Sequence, residues 1–175
     1  MEGERMDIRY VCSDEEQRTD RVLGGVAERA GRDGIALAGT VQVADPGAPQ
    51  EKCHIILALL PDGLRHDISF PLDPDVPGCR LDPEALEAAA LVVNQRLPAA
   101  QALVVNKFGK QEATGRGLVP AIGDACERGL PVLVGVAPQW LDAFLAFAGG
   151  DAKPLPADEE QVLAWLHGAC RAAAA

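Results

Sequence analysis

The sequence predicts an α/β fold, a three-layer sandwich in which helices cover both faces of a mostly parallel sheet and one antiparallel hairpin is inserted. Short apolar segments alternate with segments whose apolar residues recur at helical spacing, as in successive strand–helix units. The segments 53–60 and 131–136 are apolar on both faces, which is typical of strands inside a sheet. A turn at 61–63, between 53–60 and a returning segment at 65–72, predicts the hairpin.

The N-terminal half begins with a strand and a helix. Residues 8–12 form the first predicted strand, and Ser13 with Glu16 three positions later has the pattern of a helix-capping box. The helix is expected to end at Gly31 or Gly34. Its apolar face consists of Val22, Leu23, Val26, Ala27 and Ala30, and a second strand is expected at 35–43.

The C-terminal half continues the alternation of helices and strands. Asp82 and Pro83 predict an N-cap and a first helical residue, and the helix carries Leu86, Ala89, Ala90, Val93 and Leu97 on one face. The next predicted elements are a strand at 102–105, a loop at 106–118, a helix between Pro120 and Gly129, the strand 131–136, a helix from Pro138, a linker at 151–157 and a last helix at 158–172.

Composition limits the class of protein. With 175 residues the chain is expected to form a single α/β domain, 1–175. A net charge of −10 argues against a nucleic-acid surface, which needs clustered cations. No apolar segment is long enough to span a bilayer and no secretory signal is visible, so we expect a cytoplasmic protein without membrane insertion.

The loop 106–118 is the main candidate for a ligand site. It lies between a predicted strand and a predicted helix, where α/β proteins bind ligands. In this acidic chain it collects three cations, and its glycines would let backbone N–H groups converge on an anion. A solvated glycine-rich connection explains the same residues equally well. The candidate ligand-binding residues are Asn106, Lys107, Gly109, Lys110, Glu112, Gly115, Arg116 and Gly117, with Arg80 joining from an earlier loop.

A metal site is a minority alternative. It would require His66, Cys79 and either Cys53 or His54 to meet in space, whereas buried thiols and surface imidazoles are the more common arrangement. The five cysteines are widely spaced and contain no CxxC pair, so a disulfide framework or zinc knuckle is not expected. No resident cofactor is indicated.

The established nucleotide-binding motifs are missing. Neither GxxxxGK[ST] nor GxGxxG occurs, and the first strand runs into the acidic segment 12–16, which would repel a triphosphate. A phosphate-binding loop needs glycines and a lysine at this turn, because backbone amides and an ammonium group neutralise the phosphates.

Two longer strings resemble a known family. They are GCRLDPEALEAA at 78–89 and NKFGKQEATGRGL at 106–118, supported by PVLVGV and AFAGG further along. The chain resembles, over about 7–150, the uncharacterised bacterial domain-of-unknown-function family 2478, described as nucleoside-triphosphatase-like. The resemblance implies a P-loop-NTPase-like fold. Members are often encoded beside molybdate uptake genes, which implies a role in handling molybdate or tungstate.

The same resemblance bears on catalysis. In small P-loop nucleoside triphosphatases the corresponding strand ends in Asp-Glu, followed by a Gly and a Glu, which hold magnesium and polarise water. This chain has Asn106 and Lys107 at the paired positions, while Gly109 and Glu112 keep the later two. The exchange removes a carboxylate needed near magnesium and supplies a cation that could hold an anion directly.

The sequence therefore favours binding over catalysis. The first hypothesis is a non-catalytic protein that binds molybdate, tungstate or a nucleotide phosphate at 106–118. The second is a divergent nucleotide hydrolase or phosphotransferase, for which Glu112 would be the acid/base group. The third is a regulatory or scaffolding partner, with a homodimer as an open alternative.

Overall fold

The computed structural model describes residues 6–15, 17–44, 55–70, 75 and 81–174. Strands and helices alternate along this part of the chain. In order, the elements are β1 (Ile8–Val11), α1 (Arg18–Arg32), β2 (Leu37–Val43), β3 (Ile56–Leu60), β4 (Leu64–Asp67), α2 (Pro83–Arg96), β5 (Ala102–Phe108), α3 (Lys110–Ala113), α4 (Val119–Glu127), β6 (Val132–Val136), α5 (Leu141–Ala148), β7 (Ala152–Pro154) and α6 (Glu159–Ala174).

The strands form one seven-stranded sheet in the order β4-β3-β2-β5-β6-β1-β7. Neighbouring strands run parallel in the part of the sheet ordered β2-β5-β6-β1-β7, whereas β3 is antiparallel to both β2 and β4. This confirms the predicted mostly parallel sheet with one antiparallel hairpin. The carboxyl ends of β1, β5 and β6 consequently meet at one edge of the sheet, where β1, β5 and β6 lead into α1, α3 and α5.

Two apolar cores lie on opposite faces of the sheet. Ala102 and Val104 of β5 face the core shared with α1 and α6, whereas Leu103 and Val105 face the core shared with α2, α4 and α5. The alternation follows from the period of two along a strand. Each strand in the middle of the sheet is therefore apolar on both faces, as its sequence predicted.

Several predicted boundaries are correct for the physical reason given. Asp82 caps α2, because its carboxylate accepts hydrogen bonds from the amides of Glu84, at 3.0 Å, and Ala85, at 3.4 Å. Gly34 follows the end of α1 with a φ of 85°, a conformation that glycine adopts without strain. The apolar faces predicted for both helices are buried.

Other boundaries differ from the prediction. Ser13 does not cap α1, because the helix begins at Arg18 and Gln17 is the residue that precedes it. The Ser13 hydroxyl instead accepts a hydrogen bond from the Glu15 amide at 3.2 Å. β5 continues to Phe108, so Asn106 and Lys107 lie on a strand and not in a loop. The predicted linker 151–157 contains β7, which pairs with β1 at the sheet edge.

No helix in the described ranges is long and apolar enough to cross a membrane.

Gly39 marks the tightest approach within the parallel part of the sheet. It lies opposite Val104 and has a φ of 126°, and a Cβ at this position would overlap the Val104 carbonyl oxygen. We expect Gly39→Ala to lower the free energy of unfolding by on the order of 3 kcal/mol, since it combines backbone strain with overpacking. Urea denaturation measures this change.

Gly24 provides the matched control for this substitution. It lies inside α1, and a Cβ there has nothing within 4 Å. Gly24→Ala should raise stability by about 0.5–1 kcal/mol, because alanine loses less conformational entropy in a helix. Equal effects of the two substitutions would contradict the assigned register of β2 and β5.

Candidate functional site

Two adjoining cavities lie where β1, β5 and β6 end. The first has a volume of about 400 Å³ and lies between the segment before α1 and the end of β6. The second, about 580 Å³, extends from the start of α1 across β5 and α3 towards α2. Both cavities are lined by Gln17, Asp20, Asn106 and Lys107. Residues at the end of β5 therefore contribute to the lining of both cavities.

Asn106 is a buried polar residue at this junction, 8% exposed. The hydroxyl of the fully buried Thr40 on β2 donates to Asn106 Oδ1 at 2.7 Å and accepts from the Asn106 backbone amide at 3.4 Å. These two bonds fix the orientation of the carboxamide. Its Nδ2 donates to no group in the described chain, so its N–H groups are available to an acceptor in the cavities.

Lys107 is exposed on the strand and projects beside Asp20 of α1. Burial raises the pKa of the Asp20 carboxyl, and the positive charge of Lys107 partly opposes that rise. Both side chains line the two cavities, near enough for their opposite charges to interact. Lys110, at the start of α3, adds a second exposed cation to the second cavity.

The backbone amides of the loop after β5 are occupied by the protein's own acceptors. Glu112 accepts from the amides of Gly109, at 3.0 Å, and Leu118, at 3.3 Å, and Glu87 accepts from Gly117 at 2.7 Å. The amides of Gly115 and Arg116 donate to carbonyl groups within the loop. In this conformation the amides predicted to converge on an anion donate to carboxylates and carbonyls of the chain, so anion binding by these amides stays a prediction that would require those bonds to be replaced.

Glu112 holds the loop together from inside. It is 5% exposed, and a Cβ at Gly117, which has a φ of 60°, would overlap its carboxylate. Burial raises the pKa of Glu112, and the hydrogen bonds from Gly109 and Leu118 oppose that rise. Since its oxygens bind amides on either side of the loop, Glu112 is a structural acceptor in this conformation.

The remaining predicted residues are separated from the cavities or lie outside the described chain. Gly115 and Arg116 are exposed and line neither cavity. His66 is half-buried on the edge strand β4. The described residues contain no cluster of histidine, cysteine and carboxylate groups suited to a metal ion. Outside the described residues lie Cys53, His54, Cys79 and Arg80.

The segment between β1 and α1 contains cavity residues that no motif in the sequence indicated. Cys12 to Thr19 has the length of GxxxxGK[ST], with Cys12 and Gln17 at the glycine positions and Arg18 at the lysine position. Gln17 has a φ of 62°, a left-handed conformation that favours glycine. The sequence could have indicated this segment by its length and by its position directly after the first strand. The residue types at the glycine and lysine positions gave no such indication.

Arg18 does not serve as a phosphate-binding lysine would. Its guanidinium donates to the Ala157 carbonyl at 3.0 Å and to Glu15 at 2.8 Å, and it lines neither cavity. Asp14, Glu15 and Asp20 line the first cavity with Lys107 as their opposing charge. This cavity therefore keeps the position of a phosphate-binding loop with a negative electrostatic character.

Comparison with protein families agrees with this geometry. The model of a family described as "Protein of unknown function (DUF2478)" matches residues 8–165. The chain belongs to this family. The match extends from β1 into α6, so the family pattern of DUF2478 includes both cavities.

Two solved structures share the fold of this DUF2478 chain. One is THEP1 from the hyperthermophile Aquifex aeolicus, with a TM-score of 0.61, 12% identity and coverage of 93% of this chain and 96% of that one. The other is a human cancer-related nucleoside triphosphatase, with a TM-score of 0.56, 13% identity and coverage of 95% and 96%. The P-loop-NTPase-like fold is thereby confirmed.

One curated relative is a much longer protein that contains a region similar to this chain. It is the molybdenum import ATP-binding protein ModC 2 of Bradyrhizobium diazoefficiens, 30% identical over 149 residues. The match covers 85% of this chain and 15% of that protein.

Titration of Glu112 gives a test of its buried position. Because burial raises its folded pKa, its contribution to stability is full below the ordinary value of 4.5 and is lost as the pH rises through the raised value. Glu112→Gln cannot ionise, so its unfolding free energy should decline less than that of the wild type as the pH rises above 4.5. At a fixed low pH the variant should be about 1 kcal/mol less stable, because its NH₂ group faces a backbone donor.

Urea denaturation at a series of pH values measures both effects. Glu127→Gln, which removes an exposed carboxylate at the end of α4, is the control. Identical pH profiles for wild type and Glu112→Gln would contradict the buried, loop-holding role.

Proposed function

We propose that this protein binds a small anionic ligand in the second cavity without hydrolysing it. The observation that supports this most directly is the common location of Asn106 Nδ2 and the Lys107 and Lys110 side chains around one cavity. Together they offer amide and ammonium donors to an oxyanion. Molybdate, tungstate and nucleotide phosphates are the candidate ligands.

The balance of charge favours the second cavity over the first. Asp14, Glu15 and Asp20 outnumber Lys107 around the first cavity. Around the second, Lys107 and Lys110 face Asp20, while the Glu112 carboxylate is buried against backbone amides. An anion in the second cavity therefore meets the less repulsive surroundings.

Binding without hydrolysis follows from the groups at the strand ends. P-loop enzymes hold the phosphates with loop amides and a lysine, and magnesium with a Ser/Thr and an acidic residue. Here Gln17 replaces the second glycine, Arg18 points to Ala157 and Glu15, and the strand-end residue is the neutral Asn106. Thr19 is retained at the Ser/Thr position, but Asn106 cannot supply the charge of a metal-binding carboxylate.

A role in molybdenum handling is supported by the relative described above. A region similar to this chain forms part of a molybdenum import ATP-binding protein. As a second candidate function, the chain acts as a regulatory partner of such an ATP-binding subunit. The test uses a purified ATP-binding subunit from the same organism that lacks a region similar to this chain. The two proteins should sediment together in sedimentation velocity. Separate sedimentation at micromolar concentration would contradict this second candidate function.

Substitution of Lys107 tests the proposed binding. We expect Lys107→Ala to weaken anion binding by about 10- to 100-fold, since a hydrogen bond to a charged group contributes about 1.5–3 kcal/mol. Isothermal titration calorimetry with molybdate, tungstate, sulfate, ATP and GTP measures the affinity. Arg116→Ala is the matched control, because it removes an exposed cation nine residues further along the chain that lines neither cavity.

Three results would contradict parts of this proposal. No binding of any of these anions below millimolar concentration would contradict anion binding itself. Equal losses from Lys107→Ala and Arg116→Ala would contradict the location. Phosphate release from ATP or GTP that Glu112→Gln abolishes would identify the protein as a divergent hydrolase.

A further inference from the structure

We infer that the second cavity takes an organic anion with a flat apolar body, such as a phosphorylated heteroaromatic compound, in preference to an inorganic oxyanion. This inference rests on the proposed function, because it names the ligand class of the same cavity. It depends on the size of the cavity and on the combination of cationic, amide and apolar side chains that line it.

The cavity is large for a tetrahedral oxyanion. Its volume of about 580 Å³ falls in the range of about 300–1,000 Å³ that small-molecule sites occupy. At about 30 Å³ per molecule, this space corresponds to roughly twenty waters of bulk liquid. A single oxyanion at Lys107 and Lys110 would leave most of the cavity filled with water.

Six apolar side chains belong to the lining of the cavity. Ile68, Leu86 and Leu118 are buried within the core, whereas Ile55, Leu81 and Trp140 are only partly buried and pack against it. Partly buried apolar surface facing a cavity favours a ligand that removes it from water. An inorganic oxyanion has no apolar surface with which to do so.

Trp140 supplies an aromatic surface at this lining. It ends the short 3-10 turn Pro138–Trp140 that follows β6, so the parallel sheet brings it to the same edge as Lys107. Indole rings stack on flat heteroaromatic groups, and such stacking tolerates different ring systems. The second tryptophan, Trp165, lies in α6 with Arg9 over its ring at 5.8 Å and lines neither cavity.

Neutral amides add hydrogen-bonding groups to the lining. Gln17, Gln42 and Gln111 line the cavity, and each carboxamide carries both donors and an acceptor. Ring nitrogens and carbonyl oxygens of a heteroaromatic compound present both kinds of partner. The cavity therefore offers cations for the anionic group, amides for ring heteroatoms and Trp140 for the ring face.

Calorimetric titration of the wild type with four probes tests the ligand class. GMP and flavin mononucleotide carry a phosphate and a flat heteroaromatic ring, ribose 5-phosphate keeps the phosphate without the ring, and molybdate is the inorganic oxyanion. We expect the two ring-bearing probes to bind at least about tenfold more tightly than ribose 5-phosphate and molybdate, from stacking and apolar burial.

Substitutions at Trp140 locate the selectivity. Trp140→Ala should weaken the binding of GMP by about tenfold and leave that of ribose 5-phosphate unchanged, while Trp140→Phe should keep most of the affinity for GMP. Trp165→Phe is the matched control and should alter neither affinity. In that background Trp140 is the one remaining tryptophan, so quenching of its fluorescence by GMP gives a second readout.

The outcomes separate this inference from the proposed function. If molybdate or ribose 5-phosphate binds as tightly as the ring-bearing probes, with loss in Lys107→Ala, the proposed function holds and the organic ligand class is overturned. If no probe binds below millimolar concentration, both are overturned. If Trp140→Ala is unfolded, two other measurements decide the question. They are the ratio of the wild-type affinities for ring-bearing and ringless probes and the affinity of Trp140→Phe for GMP.

Discussion

The rest of the structure depends on the burial of β5 between β2 and β6. Parallel pairing on both sides fixes its register, and Gly39 permits the close approach of β2 at Val104. The strand then ends at Phe108, whose ring packs edge-on against Phe144 of α5 at 5.2 Å. Asn106 and Lys107 lie between these two anchors, where the pairing of β5 with β6 shifts register between Val105 and Phe108.

Hydrogen bonds between β2 and β5 determine which group of the Asn106 side chain faces the cavity. Thr40 is fully buried on the neighbouring strand, and its hydroxyl both donates to and accepts from Asn106. A buried carboxamide with only one end satisfied is costly unless its other end reaches solvent or a ligand. The cavity beside Nδ2 provides that access, which makes the orientation of Asn106 a consequence of hydrogen-bond satisfaction.

An internal carboxylate explains the glycine-rich loop after β5. Glu112 bridges the amides of Gly109 and Leu118, and Gly117 leaves the space that its carboxylate fills. Loops of this composition in other α/β proteins surround a phosphate with backbone donors. Here the chain's own acid, Glu112, is the acceptor for the amides of Gly109 and Leu118, while the Lys110 side chain is exposed.

By itself the sequence determined the fold class, the hairpin and most elements, because burial on one or two faces imposes a period that a single chain reveals. It also singled out Asn106 and Lys107 as candidates, through the string that contains them, and the structure places both in the lining of the two cavities. It could not reveal that Asp20, Gln17 and Trp140 join them, since these residues come from segments that only parallel pairing brings to one edge. Nor could the sequence distinguish Lys107 from Arg116, because both are cations of the same short segment. The structure separates them: Lys107 lies near the end of β5 and lines both cavities, whereas Arg116 follows α3 and lines neither. Tertiary structure decided the site, since the direction of a side chain and the partner of each backbone amide are set by packing across the sheet.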